Sequence, residues 1–367
     1  MERCAKCLLP SSLEDSDFDD SGTCSWCRMG YPHYTPKGAD ELQKLLETER
    51  SDSGEADCLV GVSGGKDSSY VAMQLKTVFG MRVEAFTYIH EGSTPSAVKN
   101  ARDVCARLGI KQHEISLPNH QHLESFKSFF RSWLRSPNTT TAAMTCVACK
   151  HLHILGTRLA AQRGIPMVVW SQCPLESSPF IAIRLKGRKD DDFAREGMLK
   201  SAGKLVGAMI RSPHFAQAVI KHFPLCVSGC LAFVPGTRYL KIRYPSVKHV
   251  HFFDYIEWNP ANIVTELVEK AGWQPPGNVP DDWHSDCLFN IFKEYMFQKM
   301  LGVSYTDGFL SNQIRHGLIT RDEAWLKLVA SKAHYAEAVP KALEFVGLGD
   351  LAREIDVSCF KIQELRN

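Results

Sequence analysis

Between Cys58 and Trp170 the chain alternates short apolar runs with longer stretches in which apolar residues recur every three or four positions. The run Cys58 to Val62 carries no charge, as expected of a strand covered on both faces in a parallel sheet. Val71, Leu75, Val78 and Phe79 follow at helical spacing, and Gly80 stands where a C-terminal cap belongs. The pattern predicts a helix over 68–79, strands over 82–88 and 110–115 and a helix over 96–108. A helix near 150–162 then ends at Gly164 and leads into a strand, Met167 to Trp170. Such alternation predicts an α/β fold with a doubly wound parallel sheet, whose ligands sit at the carboxyl ends of the strands.

Outside this region the pattern changes. Residues 1–35 hold two cysteine pairs with too few apolar residues between them for a core, so the segment needs a staple. A polar helical linker follows around Asp40 to Arg50. From 181 to 235 the chain turns basic and helical, with Arg184, Lys186, Arg188 and Lys189 as a solvated face. A strand-like segment, His249 to Trp258, precedes a proline-rich turn at Gln274 to Pro280, and roughly the last 85 residues read as helical. The organisation expected is a ribbon over 1–35, an α/β domain over 36–180 and a mixed, then helical region over 181–367.

Composition narrows the classes. A chain of 367 residues with 44% hydrophobic content is long enough for two domains with full cores. A net charge of +2 argues against a strongly electrostatic nucleic-acid binder. No apolar run reaches membrane-spanning length and the N-terminus lacks a signal-peptide core, so the expectation is a cytoplasmic protein without a membrane partner. The 13 cysteines, several in C-x-x-C pairs, favour metal ligation or sulfur chemistry in a reducing compartment over disulfides.

The loop after the first predicted strand reads Ser63-Gly64-Gly65-Lys66-Asp67-Ser68. A strand end joined to a helix start by glycines presents free backbone N–H groups and the positive end of a helix dipole, so its natural ligand is a phosphate. It is not a Walker A loop, since Val60 occupies the first glycine position and Asp67 follows the lysine. Cys4-x-x-Cys7 and Cys24-x-x-Cys27, separated by 16 residues, have the spacing of a four-thiolate zinc ribbon, with Asp17 to Gly22 as a hairpin turn between the pairs. Cys146-x-x-Cys149 falls inside the α/β domain just before a helix, where a thiol's pKa is lowered. Cys287, Cys226 or Cys230 could complete a site with it: three thiolates with an open position suit an iron–sulfur cluster, a closed set suits zinc. Cys58 and Cys105 read as core. At most one of His151 and His153 can join a site, because the two face different sides of a helix. His284 is either a ligand or a surface residue.

The loop resembles the SGGxDS signature of the PP-loop ATP pyrophosphatases. The assembled motifs look like one branch of that superfamily, the N-acetyl sugar amidotransferases of surface-polysaccharide and nonulosonic-acid pathways. The resemblance rests on the paired cysteines with Pro10 and Phe18 to Gly22, VGVSGGKDSSY, CVACKH, GIPMVVW, Asp286-Cys287 and the stretch Ile314 to Ala324. It implies adenylation of an N-acyl carbonyl oxygen of a small-molecule acceptor, then replacement of that oxygen by ammonia from a separate glutaminase subunit. ATP and Mg²⁺ are the implied cofactors, with structural Zn²⁺ in the ribbon. Ser63, Gly64, Gly65, Lys66 and Ser68 would hold the leaving pyrophosphate and Asp67 would help place Mg²⁺. The region 181–367 would complete the acceptor site, with Glu176 and Arg315 contributing. One departure stands out: where that family shows Gly-Glu-Asn after the strand ending at Trp170, this chain has Ser171-Gln172-Cys173.

A second class shares the activation step. Sulfur-inserting PP-loop enzymes, including tRNA thiolases and thioamide-forming enzymes, resemble this chain in the ribbon, the loop and an internal C-x-x-C that can hold a [4Fe-4S] cluster. In that reading Cys146, Cys149 and Cys287 hold the cluster, a sulfur-donor protein is the partner, and a nucleobase, a metabolite or tRNA is the acceptor. A third reading is a zinc-ribbon adaptor that binds ATP only as a ligand.

Overall fold

The computed structural model describes residues 2–13, 16–30, 34–51, 54–176, 198–277 and 285–362. The basic stretch around Arg184 to Lys189, and His284, lie outside the described residues.

Five parallel strands form one sheet in the order β3-β2-β1-β4-β5: β1 is Cys58–Gly61, β2 Val83–Tyr88, β3 Lys111–Ile115, β4 Met167–Trp170 and β5 Lys248–His251. The chain winds outward from β1 through β2 to β3, then crosses back to place β4 on the other side of β1. The sheet's direction of winding therefore reverses between β1 and β4, and the crevice at their carboxyl ends is where such sheets bind ligands. β1 and β4 are buried on both faces because helices cover both, whereas β3, at the edge, is polar and half-exposed.

On one face, helices Lys66–Thr77 and Pro95–Arg107 bury Val71, Leu75, Ala101 and Val104 against Val60, Ala85 and Val169, with Trp258 and Trp273 in the same cluster. On the other face, helix His151–Gln162 packs with Leu59, Phe86, Val168 and Trp170. The strand expected over His249 to Trp258 is cut short at His251, since Phe252–Asp254 turns in a single 3-10 helix that buries both phenylalanines. A helix not expected from the simple strand–helix alternation, Gln121–Arg135, lies between β3 and the inner cysteine pair.

The C-terminal helices Phe289–Leu301, Tyr305–Arg315 and Arg321–Phe345 form a second core. Phe126, Phe130, Trp133, Phe292, Tyr295 and Leu343 belong to it, and so do ribbon residues Cys4, Cys7, Leu9 and Cys24. Ser304 with Asp307, and Thr320 with Glu323, form reciprocal capping boxes that start the last two of these helices. The N-terminal ribbon is thus seated on the C-terminal helices, away from the sheet. Among the described residues no helix is long and apolar enough to cross a membrane.

Candidate functional site

The loop after β1 is held open by its own side chains. Ser63 N donates to Ser68 Oγ at 3.1 Å and Gly65 N to Ser63 Oγ at 3.3 Å, while Trp273 Nε1 donates to the Gly64 carbonyl at 2.8 Å. Gly64 has φ +87°, and a Cβ there would lie 1.8 Å from the Ala97 carbonyl oxygen, so only glycine fits. Gly65 is the N-cap of helix Lys66–Thr77, which points its positive dipole end at the crevice. Lys66 is buried with its Nζ 3.9 Å from Asp67 Oδ2, and Asp67 Oδ1 accepts from Trp258 Nε1 at 2.9 Å. Backbone donors, hydroxyls and an ammonium converge here, a set suited to a polyphosphate.

A segment from the C-terminal region closes onto this loop. Cys287 forms an antiparallel bridge with Ser93, Leu288 N donates to the Gly92 carbonyl at 2.8 Å and Thr94 N to the Asp286 carbonyl at 3.1 Å. The Asp286 carboxylate meets the Ser63 hydroxyl and lies 3.8 Å from where a Gly65 Cβ would stand. Burial raises its pKa, and the Ser63 hydrogen bond with the Lys66 and Lys293 cations opposes that rise.

Cys146 and Cys149 lie within electrostatic reach of this segment, Cys146 of Lys293 and Cys149 of Cys287. The Cys149 hydrogen bond pulls the Cys146 thiol down to about 6, with Lys293 and Lys150 assisting against burial. That bond, together with burial, pushes Cys149 well up. Cys149 Sγ lies 3.3 Å from His122 Nε2, and His122 Nδ1 lies 3.0 Å from Tyr88 Oη. Burial, with the charges of His90 and His151, keeps the His122 imidazole neutral. Burial raises Cys287 to about 12, and the neighbouring charges of Asp286 and Cys146 add to the rise. Asp286, Cys287 and Tyr305 keep some accessible surface although burial raises the pKa of each, whereas Lys293, also partly accessible, has its pKa raised against burial by the charges of Tyr305, Cys146 and Glu294. Lys293 Nζ lies 4.2 Å over the Tyr305 ring.

The ribbon is built differently. Its four sulfurs all lie within 4.8 Å of one another, with Cys7 to Cys24 at 3.6 Å and Cys4 to Cys27 at 3.9 Å. A tetrahedron with metal–sulfur bonds of ~2.3 Å has edges of roughly 3.8 Å, so the set fits one tetrahedral ion. Asp19 Oδ1 closes the intervening hairpin by accepting from Ser21 N and Thr23 N. Among the described residues no other group of three metal-ligating side chains comes so close together. The sulfurs of Cys146, Cys149 and Cys287 are thus not drawn together as those of the ribbon are.

The remaining candidates fall elsewhere. His151 bonds the Leu225 carbonyl and Ser228 in helix Phe223–Leu231, and His153 the Ala232 carbonyl just past its end, so the two turn to one neighbouring segment and not to different sides as expected. Cys226 is buried among Phe129, Met144, Val147 and Phe215, Cys230 is exposed, and Cys58 and Cys105 are core. Cys173 is buried within reach of the charges of Glu176, Asp67 and Lys66, and burial raises its pKa. Arg315 donates to Cys7 Sγ at 2.9 Å, which puts it on the ribbon. Sequence reasoning missed His122, Tyr88, Lys293, Trp258 and Trp273. Only His122 carried a usable signal, the helical spacing of Leu123, Phe126, Phe130 and Trp133 beside it.

Residues 39–139 match the sequence model of the NAD synthase family, a stretch from the helix before β1 through the phosphate loop, β2 and β3. The match supports the PP-loop ATP pyrophosphatase superfamily, and with it ATP use, without selecting a branch. No curated protein matches. Among solved structures, an NMN synthetase from Francisella tularensis is 13% identical, covering 76% of this chain and 92% of that one, with a TM-score of 0.34. A U34-tRNA thiolase from Methanococcus maripaludis, with its [4Fe-4S] cluster, is 13% identical, covering 99% of this chain and 92% of that one, with a TM-score of 0.32. Neither likeness is close enough to say what this chain binds.

Proposed function

We propose that the protein is an ATP-dependent enzyme that adenylates a carbonyl oxygen of a small N-acyl acceptor and replaces that oxygen with ammonia nitrogen. The observation carrying this reading is the meeting of the phosphate loop with Asp286-Cys287, an element of the amidotransferase-like pattern, across one cleft at the carboxyl ends of β1 and β4. The acceptor oxygen attacks the α-phosphorus and pyrophosphate leaves. Gly64, Gly65, Ser63, Ser68 and Lys66 stabilise the charge that develops on it. Ammonia then attacks the activated carbon, the bond to AMP breaks, and loss of a proton leaves an amidine. Asp67 would hold Mg²⁺, which neutralises phosphate charge when bound, and the ribbon would hold structural Zn²⁺. A glutaminase partner is the proposed ammonia source.

A second reading, sulfur transfer, is favoured by the three cysteines bordering the same cleft. Cys146, Cys149 and Cys287 would hold a [4Fe-4S] cluster, which would present sulfide as the attacking atom.

Incubation with ATP, ammonium and N-acetyl sugars tests the first reading. AMP and pyrophosphate are expected, and Lys66→Ala should abolish both; ADP and phosphate as sole products would sink adenylation. Iron and sulfide assay after anaerobic purification tests the second. Stoichiometric four-iron clusters lost on Cys146→Ala would move the assignment to sulfur.

A further inference from the structure

Helix Tyr305–Arg315 stands between the ribbon and the cleft and is fastened to both. Near its start, Asp307 Oδ1 meets Arg3 Nη1 at 2.8 Å and Asp307 Oδ2 meets Lys332 Nζ at 2.6 Å, both ion pairs buried. At its end, Arg315 Nη1 donates to Cys7 Sγ at 2.9 Å and Nη2 donates to Asn312 Oδ1 at 2.6 Å. Asn312 Nδ2 donates onward to the Leu175 carbonyl at 2.8 Å. Leu175 is the buried centre of the turn Pro174–Glu176, which follows β4 and is preceded by Cys173. From the middle of the same helix, Phe309 packs edge-on against Trp258, with ring centres 5.7 Å apart, and Trp258 holds Asp67.

Four thiolates around one divalent cation carry a net charge of about −2, which is costly where water is scarce. Hydrogen bonds to the sulfurs spread that charge and fix their orientation. Cys4 Sγ accepts two from the ribbon's own backbone, Lys6 N at 3.4 Å and Cys24 N at 3.3 Å. Cys7 takes its bond from Arg315, a side chain 308 residues along the chain. Because a guanidinium is a rigid planar fork, one group can serve Cys7 and Asn312 together only while both hold their places.

We propose that Arg315 is a positioning residue that couples metal occupancy of the four-cysteine site to the cleft wall at Cys173 and Glu176, through Asn312 and the Leu175 carbonyl. The ribbon then acts at a distance: emptying it frees the turn after β4 while the phosphate loop stays formed. The coupling does not rest on the nature of the reaction.

The test uses the full chain with Co²⁺ in the ribbon, read by its thiolate-to-metal charge-transfer band, and hydrogen–deuterium exchange of the peptide covering 171–176. Arg315→Met should shift the band and weaken metal retention against a chelator by roughly 10- to 100-fold. Arg315→Lys, which keeps the charge and loses the fork, should recover part of both. Stripping metal from the wild type should speed exchange at 171–176 without changing exchange in helix Lys66–Thr77, and Arg315→Met should show the fast exchange with metal bound. Asn312→Ala should speed exchange while leaving the band in place. Exchange at 171–176 that ignores metal in the wild type overturns the coupling, and that arm stands even where a variant fails to fold. A band unmoved in Arg315→Met overturns the role of Arg315. Neither readout needs turnover, so failure of the adenylation reading would leave this result interpretable.

Discussion

In the ribbon, Cys4, Cys7, Cys24 and Cys27 bring four sulfurs within 4.8 Å of one another. Around the cleft, Cys146 lies in the turn before the short 3-10 helix Ala148–Lys150 and Cys149 within it, Cys287 comes from a segment bridged to the loop after β2, and the three do not close up. Both sets begin from C-x-x-C. That spacing brings two sulfurs near each other through a tight turn; what completes the set decides its chemistry. A second pair 16 residues on makes a closed tetrahedron with no position left for a substrate. Completion by a distant segment leaves the inner thiols facing a shared space with Lys293 and Asp286.

The largest break in this comparison should come from the ribbon. Cys4→Ser with Cys24→Ser should take zinc from about one per chain to none and lower stability by more than about 3 kcal/mol, since this segment's structure depends on its metal. Cys146→Ala with Cys149→Ala should leave the zinc in place. Metal analysis alongside denaturant unfolding checks both, and zinc retained by the ribbon variant would mean that the fourfold site is not where it binds.

Next comes the loop that gives the inner set its neighbour. Gly64→Ala forces a Cβ to 1.8 Å from the Ala97 carbonyl at a φ of +87°, and should cost at least about 2 kcal/mol together with ATP binding. At Gly65 the nearest atom to an added Cβ is Ser63 Oγ at 3.4 Å, so Gly65→Ala should fold normally. Unfolding curves and nucleotide titration of the two variants separate backbone strain from loss of ligand contact. Equal stability of the two would show that the loop is looser than its geometry.

What the sequence made legible was local. The ribbon spacing, the glycine loop and the apolar strand Cys58–Gly61 each lie within a few tens of residues, where chain stiffness fixes geometry. The alternation of strand and helix implied a doubly wound parallel sheet with ligands at the carboxyl ends of its strands, but not the order β3-β2-β1-β4-β5. Contacts between distant segments left no such trace. Nothing near Cys7 announces Arg315, nothing in Asp67 announces the Trp258 indole, and the run after His249 looks strand-like because its buried phenylalanines fill a turn. Helix Gln121–Arg135 did show helical spacing, but it breaks the simple alternation, since it follows an edge strand and packs toward the C-terminal helices.

A smaller effect separates the two inner thiols. The Cys149 hydrogen bond and the nearby lysines hold Cys146 as a thiolate above about pH 6, whereas Cys149, pushed up by that bond and by burial, stays protonated at neutral pH. In metal-free protein at pH 7, iodoacetamide should modify Cys146 first. As the pH falls through about 6 that preference should fade, because Cys146 gains its proton. Peptide mass mapping across pH checks the order, and Cys149 reacting first would reverse the assignment of the pair.

The smallest effect should fall on a cysteine that belongs to neither set. Cys226 is buried with Phe129, Met144, Val147 and Phe215, and Val147 lies between the two inner cysteines in sequence. Nearness alone would make Cys226 a candidate fourth ligand, yet its neighbours are apolar and burial raises its pKa to about 12, as for a thiol that serves as a small hydrophobe. Cys226→Ala removes one sulfur from a packed cluster and should cost about 1 kcal/mol. Metal content, ATP binding and the alkylation order of Cys146 and Cys149 should all stay as in the wild type. Loss of iron or zinc on this substitution, at unchanged fold, would place Cys226 in the inner set and turn the open arrangement into a closed one.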